Sequence, residues 1–421
     1  MYQISKLPDG LTVATAEMPH MASISVGLWV GIGSRYEPPE LNGVCHFIEH
    51  MLFKGTTRRS AREISQAVEG LGGYINAFTA EETTCFHARA GSERFEELFD
   101  VLMDMLLHSR FAPDDVRKER NVIKEEIAMY LDEPQHHVQE LLNATIWPEQ
   151  PLGRPITGTL ETLDDFSRSH LVNFLRRNYV SSNILVVAAG RLKHGRVTRT
   201  VSRYSRFIRS GPEPNFSPAR NEQCEPRINF FTKDTEQTQI ALGLRACSRH
   251  DPRRYALRLL NAILGENMSS RLFQLLREER GLAYSIYSSA SFFHDIGDLV
   301  ISAGLETNNV PAALRLIVRE LRRLTETPPG TAEVRRACDY VIGQMELSLE
   351  STEHQMNWLG EQLLGYGQVF RPAEIKRRLR DVTPGEIRSA ARAFFRPERL
   401  SLAMVSAMKS DREAVRILKS L

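Results

Sequence analysis

Within the chain's 421 residues, His46 and His50 stand four apart with Glu49 between them, in the run His46-Phe47-Ile48-Glu49-His50. On an α-helix a step of four brings two side chains to about 40° of each other around the axis and one turn apart along it. Two imidazoles so placed can hold one Zn²⁺ from the same face. A carboxylate three residues after the first histidine lies near that face, where it can take a proton from a metal-activated water. The order inverts the commoner H-E-x-x-H arrangement. Two ligands are not yet a zinc site, and the same run also suits a core helix with polar side chains at its edge. A third ligand must come from elsewhere in the chain.

That ligand needs a second element lying against the first. Residues 113–131 carry a helical pattern, with Asp114 and Asp115 at the start and Pro134 beyond the end. Val116, Ile123, Ile127 and Tyr130 form its apolar stripe. Glu119 and Glu126 lie two turns apart on one flank of that stripe, separated by roughly 10 Å along the axis. A carboxylate at a buried edge needs a partner to offset its desolvation. Glu126 can supply the third ligand, and Glu119 can support a ligating histidine from behind. Either glutamate alone is as readily part of a solvated flank, and Glu125, about 100° further round, is expected in solvent. Cys45, beside His46, reads as a small buried hydrophobe and not as a ligand.

The surrounding elements follow from pattern and punctuation. Residues 11–16 and 23–30 alternate as strands. A helix over 43–53 carries the histidines. Ser60 and Glu63 form a capping box for a helix over 61–71, which Gly72 and Gly73 end. A hairpin over 74–90, a helix over 93–107, a helix over 169–179 and an apolar strand over 183–189 complete the first half. Residues 209–226, with Pro212, Pro214, Pro218 and Pro226, read as a linker. Beyond it, Ile240-Ala-Leu-Gly-Leu244 echoes Ile24-Ser-Val-Gly-Leu28, and each is followed by Ser-Arg and an acidic-Pro turn. A strand pair over 292–305 then leads into a helix over 310–324, as residues 83–90 lead into 93–107. The chain therefore reads as an internal duplication: a first domain over 1–208, the linker 209–226, and a homologous domain over 227–421. The second copy lacks the two histidines.

Composition excludes several classes. Apolar residues make up 42% and charged residues 25%, ordinary for a globular protein. A net charge of +2 with both signs abundant argues for neither nucleic acid nor a membrane surface as partner. No run of 18 apolar residues is present, and the first ten residues have neither a signal core nor an Arg/Ser-rich amphipathic run, so a cytoplasmic location without a membrane span is expected. Five scattered cysteines without C-x-x-C spacing fit reduced thiols.

These motifs resemble the pitrilysin family of zinc peptidases, most closely its short subgroup, the mitochondrial processing peptidase β-subunit and its bacterial relatives. The resemblance covers nearly the whole chain. It is carried by His46-Phe-Ile-Glu-His-Met-Leu-Phe-Lys-Gly-Thr56, by Gly72-Gly-Tyr-Ile-Asn-Ala-Phe-Thr79, by the run from Glu119 to Ile127, and by Leu276-Arg-Glu-Glu-Arg-Gly-Leu-Ala-Tyr284. It implies an α+β fold of two homologous tandem domains, each a mainly antiparallel sheet with helices packed on one face, together forming half of a clamshell. It also implies one Zn²⁺ per chain on His46, His50 and Glu126, the last 76 residues after the second histidine. Glu49 would be the general base and Glu119 the auxiliary glutamate. Arg277 and Tyr284 would reach toward the substrate at the zinc, where such donors can hydrogen-bond the developing oxyanion or the peptide backbone.

The implied activity is endopeptidase cleavage of extended, unfolded peptides. Gly73, Asn76, Ala77, Phe78 and Thr79 would form an edge strand that takes the peptide by strand addition. The implied assembly is a homodimer, with a heterodimer on a homologous non-catalytic subunit as the alternative. A non-catalytic structural or peptide-binding relative is the competing reading. The chain departs from the processing peptidases at two acidic positions that receive a substrate arginine, ten and fourteen residues after the third ligand. Here they are His136 and Glu140, and an imidazole cannot replace a carboxylate as a bidentate arginine partner.

Overall fold

The computed structural model describes residues 2–408 and 412–419. The first sheet contains β1 (Tyr2–Lys6), β2 (Thr12–Glu17), β3 (Ser23–Val30), β4 (Tyr74–Thr79), β5 (Thr84–Gly91) and β6 (Ile184–Gly190), in spatial order β1-β2-β6-β3-β5-β4. Every pairing is antiparallel except β2 with β6. The second sheet contains β7 (Arg227–Thr232), β8 (Thr238–Ala246), β9 (Ala283–Phe292), β10 (Gly297–Leu305) and β11 (Leu400–Ser406), ordered β7-β11-β8-β10-β9. Its one parallel pair is β7 with β11. Apart from the added β1, the two orders superpose strand for strand. The duplication legible in the sequence is thus a duplication of topology.

Most expected elements form where their patterns lie. The helix bearing the histidines spans Val44–Leu52, and the next spans Ala61–Glu69 with the Ser60/Glu63 capping box in place. The long helix is Pro113–Asp132. One expectation needs correction: the strand pair is not contained in residues 292–305, because β9 begins at Ala283 and only its last residue falls in that window. Serines and exposed tyrosines make β9 polar on one side and mask its alternation. Among the described residues no helix is long and apolar enough to cross a membrane.

The chain clusters into two compact units, each assembled from separated segments. One comprises Met1–Ala128, Arg154–Ser217 and Leu347–Val369; the other comprises Met129–Gly153, Pro218–Glu346 and Phe370–Leu421. In the first unit most helices pack on one face of the sheet, around Val26, Leu28, Phe47, Phe86, Phe99, Ile123 and Val186. Its opposite face buries Trp29, Cys85, Leu185 and Val187 beneath a single helix, Thr352–Tyr366, through Met356 and Leu359. Gly360 faces the Trp29 indole there, and the space between them cannot take a Cβ. The second unit mirrors this arrangement. Helices Arg254–Leu264, Val310–Glu326 and Pro384–Phe394 cover one face, and Pro134–Ile146 covers the other through Val138, Leu142 and Ile146 against Ala241 and Val405. Each half of the duplication therefore contributes one helix to the other half's sheet. The expected helices on one face are present, with this lone helix added on the reverse.

Candidate metal centre

The helix Val44–Leu52 is anchored from three directions. Phe47, Ile48, Met51 and Leu52 are buried in the core, and the Phe47 ring meets Phe166 edge-on at 5.7 Å. At its start Gly43 has φ +94°, and its α-carbon faces Gly158 and the Thr157 carbonyl too closely for any side chain. The free N–H groups of the first turn are met by Glu37, whose carboxylate accepts from Gly43 N and Cys45 N, both at 2.8 Å, and from Asn42 Nδ2 at 3.1 Å. Burial pushes the Glu37 carboxyl up to about 6, against the pull of those donors. Cys45 is fully buried in the core, as expected.

The helix Pro113–Asp132 is fixed against the first through the segment that carries Phe166. Arg120 donates to the Leu163 carbonyl at 2.8 Å and the Phe166 carbonyl at 2.6 Å, and Lys124 pairs with Asp164 at 2.5 Å. Val116, Ile123 and Ile127 lie in the core as the stripe predicts, and Glu125 is exposed.

These two helices bring His46, His50 and Glu126 together. One donor atom from each lies within 4.8 Å of the others, and they form the one such cluster among the described residues. Glu126 Oε2 is 3.8 Å from His46 Nε2 and 3.7 Å from His50 Nε2, and the two imidazole centroids are 4.7 Å apart. Zinc bonds of about 2.0–2.1 Å in a tetrahedron separate neighbouring ligands by about 3.3 Å. Glu126 exceeds that spacing from each histidine by about half an ångström, so a small movement of its carboxylate brings it within reach of a metal held by the two imidazoles. Burial first, then the neighbouring His50, lowers the His46 pKa to about 4, which keeps the imidazole in the neutral form that ligates metal.

Behind this trio, His50 Nδ1 lies 3.1 Å from Glu119 Oε2, and Lys54 Nζ lies 2.7 Å from Glu119 Oε1. Burial would raise the Glu119 carboxyl, but the His50 and Lys54 hydrogen bonds outweigh it and hold the group below its ordinary value. Glu49 lies beside the trio, and its Oε2 accepts a 2.5 Å hydrogen bond from Thr79 Oγ1. Burial, the leading cause, raises the Glu49 carboxyl despite that bond.

Thr79 ends β4, which pairs with β5 on one side only and forms the edge of the first sheet. Tyr74 and Asn76 are exposed on that edge, while Ala77 and Phe78 are half-buried, with Phe78 edge-on to Trp29 at 5.5 Å. Gly73 precedes the strand, held against the backbone of Arg89 too tightly for a side chain.

The remaining candidates lie in the second unit. Arg277 sits in a π-helical turn, Phe273–Glu279, with its guanidinium 4.9 Å from the Phe273 ring centroid and 5.9 Å from that of Tyr284. Tyr284 is 75% exposed. In the β9–β10 ladder Gly304 faces Ser285 and Leu305 faces Ala283, so Tyr284 is the extra residue of a β-bulge. Such bulges turn a side chain away from the regular pleat. The fold thus brings Arg277 and Tyr284 together across a helix end and a bulged edge strand. Glu140 is half-buried in Pro134–Ile146, where burial raises its carboxyl. His136 is exposed and stacks on Tyr130 at 5.2 Å.

Sequence reasoning missed Glu37, Lys54 and Arg120, and it assigned Thr79 only to substrate. Glu37 caps from six to eight residues upstream, beyond the three-residue reach of a capping box, so no local signal marks it. Lys54 lies two residues beyond the end of the helix Val44–Leu52, so no helical spacing marks its approach to Glu119.

Comparison with known proteins converges on one family. The pattern described as insulinase (peptidase family M16) matches residues 12–160, and that described as the peptidase M16 inactive domain matches residues 165–340. An uncharacterized zinc protease of Streptomyces coelicolor is 38% identical over 419 residues, covering 98% of this chain and 90% of its own length. One from Bacillus subtilis is 35% identical over 400 residues, covering 94% and 96%. A protease structure from Helicobacter pylori matches with a TM-score of 0.91 at 20% identity, covering 96% of this chain and 99% of that one. A chain of complex III2 from Candida albicans matches with a TM-score of 0.85 at 18% identity, covering 99% of each. These structural likenesses show the fold alone.

Proposed function

The chain belongs to peptidase family M16, with zinc as its cofactor, and from that premise we propose that this metallopeptidase is an endopeptidase of the H-x-x-E-H type acting on extended, unfolded peptides. The observation that carries the reading is the meeting of the His46, His50 and Glu126 donors beside a Glu49 carboxylate that is tied to the end of an edge strand. His46, His50 and Glu126 would hold one Zn²⁺, which when bound lowers the pKa of a water and polarises a carbonyl.

The protein's own groups do the rest. Glu119 accepts from His50 Nδ1–H, which fixes that ring with Nε2 toward Glu126, and Lys54 steadies Glu119 from its other oxygen. Glu49 takes the proton of the attacking water and delivers it to the leaving amine, a role served by a carboxyl raised toward neutral pH by burial. Thr79 holds one Glu49 oxygen and leaves the other for that proton.

β4 offers its unpaired edge to the substrate backbone, with Gly73, Asn76, Ala77 and Phe78 along it. Backbone pairing selects extended chains and reads side chains weakly. Arg277 and Tyr284, presented together and open to solvent, are the proposed contacts to the substrate backbone or the developing oxyanion. Glu140 is the remaining acidic candidate for a basic substrate side chain, and with His136 beside it no strong arginine preference is expected. A homodimer is the proposed assembly. The match of residues 165–340 to the pattern called inactive supports a second half that serves substrate and not metal.

The test is a metal-dependent cleavage assay on a mixed peptide library, read by mass spectrometry, for the wild type, a chelated sample and Glu49→Gln. Cleavage by the metal-replete wild type alone is expected. An active Glu49→Gln enzyme would remove the general-base assignment. Zinc bound at one per chain without any cleavage would favour the competing non-catalytic reading, or the need for a separate partner chain.

A further inference from the structure

In the first unit, β4 is paired on one side only, with β5, in a ladder that runs from Tyr74 opposite Arg89 to Thr79 opposite Thr84. With one backbone partner, and with Gly72 and Gly73 before it, the strand depends on its side chains for a fixed position. Those side chains alternate between the faces of the sheet. Ile75 and Ala77 pack with the core beneath the helices, and Thr79 meets Glu49 on that same side. Phe78 takes the reverse face, edge-on to Trp29 at 5.5 Å. Tyr74 takes the reverse face too, and its hydroxyl donates to the Glu353 carboxylate.

Glu353 belongs to Thr352–Tyr366, the lone helix on that face, which the second half of the chain supplies. The helix follows β3: Thr352 Oγ1 lies 2.9 Å from Ser25 Oγ, Met356 covers Gly27, and Gly360 faces Trp29. Its first turn braces both edges of the sheet. Gln355 accepts from the Tyr2 hydroxyl of β1 at 3.1 Å, and Glu353 reaches over β5 to Tyr74 of β4. Glu353 is itself well placed to hold the phenol. A carboxylate is favoured in a helix's first turn, its backbone N–H donates to the Ser351 cap at 3.3 Å, and its Oε1 lies 3.7 Å from Nδ1 of the buried His87.

We propose that Glu353 is a positioning residue for the peptidase reaction: through Tyr74 it fixes the start of the strand to which the substrate adds, while Thr79 ties the end of that strand to the general base. The inference rests on the strand-addition reading above. A peptide paired along β4 takes its register from β4, so a strand loose at Tyr74 presents a productive edge only part of the time. Apparent affinity falls by that fraction. The chemical step, set by the metal and Glu49, is unchanged once the peptide is seated.

The experiment measures kcat and KM for one cleaved peptide with zinc-loaded wild type, Tyr74→Phe, Glu353→Ala, Glu353→Gln and the Tyr74→Phe/Glu353→Ala double variant. Loss of the bond in Tyr74→Phe or Glu353→Ala is expected to raise KM about fivefold, with kcat within about twofold, on the scale of one hydrogen bond. Glu353→Gln keeps an acceptor for the phenol and should hold KM within about twofold of wild type. The double variant should be no worse than either single one, because both remove the same bond. A rise in KM for Tyr74→Phe alone would make Tyr74 a direct substrate contact and overturn the proposal. Additive effects, an equal loss in Glu353→Gln, or a fall in kcat at constant KM would also overturn it. Hydrogen exchange gives a readout without turnover: peptide bound to zinc-loaded Glu49→Gln should protect residues 74–79, and Glu49→Gln/Glu353→Ala should need about fivefold more peptide for the same protection. Absence of protection in Glu49→Gln overturns strand addition and this inference with it. Protection at equal peptide concentration in both proteins overturns this inference alone.

Discussion

Replacing Glu119 tests whether the metal-binding geometry depends on a residue that touches no metal. Its carboxylate is nearly buried and accepts from His50 Nδ1 at 3.1 Å, with Lys54 at 2.7 Å on the other oxygen. A hydrogen bond to a charged group contributes about 1.5–3 kcal/mol. At about 1.4 kcal/mol per decade, its loss corresponds to roughly 10- to 100-fold in zinc affinity, the range found when such supporting partners are removed elsewhere. Glu119→Gln keeps an acceptor for the imidazole but loses its charge, and should weaken zinc by about tenfold. Glu119→Ala also frees the ring to rotate and should approach a hundredfold loss. Lys54→Met should cost less than either, because Lys54 is one-third exposed and acts through Glu119. The assay is competition for zinc against a chelator of known affinity, with unfolding midpoints of the metal-free proteins as the control for folding. Zinc affinities within about twofold of wild type in both Glu119 variants, with the fold intact, would refute the orienting role.

Three further outcomes follow from the same contacts. Thr79→Val removes the hydroxyl that holds Glu49 and is expected to lower kcat by about 10-fold or more with zinc content unchanged, on the scale of positioning a general base. Thr79→Ser should restore most of it, and equal loss in both variants would assign Thr79 to packing. Gly360→Ala forces a methyl group into the Trp29 indole and should destabilise the metal-free protein by about 1–3 kcal/mol, measured by urea denaturation; an unchanged midpoint would contradict the packing of helix Thr352–Tyr366 on the first sheet. For Glu37, burial lifts the folded pKa to about 6 from an ordinary 4.5, a difference of 1.5. A carboxyl raised in the folded state stabilises fully below its unfolded pKa, and that contribution is lost as pH rises through the folded value. At about 1.4 kcal/mol per unit, the loss is about 2 kcal/mol between roughly pH 4.5 and pH 7. The stability of Glu37→Gln minus that of wild type should therefore increase over that window in metal-free protein, and a flat or decreasing difference would reject the burial argument.

Much of this architecture is written locally. The Ser60/Glu63 capping box, the alternation over 23–30 and the apolar stripe of Val116, Ile123 and Ile127 each depend on neighbours within a turn or a strand, and each forms as read. The pairing of Ile24–Leu28 with Ile240–Leu244 as equivalent strands also needed only the sequence, because a duplicated segment keeps its pattern. The exposed, bulged Tyr284 was not readable, since its setting depends on the register between β9 and β10.

The sequence by itself determined the chemistry available: two imidazoles and a carboxylate at helical spacing, a second helix with two glutamates seven apart, and a chain built twice. Tertiary structure alone decided which atoms meet. The 3.7 and 3.8 Å approaches of Glu126 to the histidines depend on Arg120 and Phe166, residues far apart in the chain that set how the two helices cross. The exchange of helices Pro134–Ile146 and Thr352–Tyr366 onto each other's sheets was likewise invisible. A helix's periodicity reports that it has a face to bury, and the surface that receives it is fixed only when distant strands have assembled.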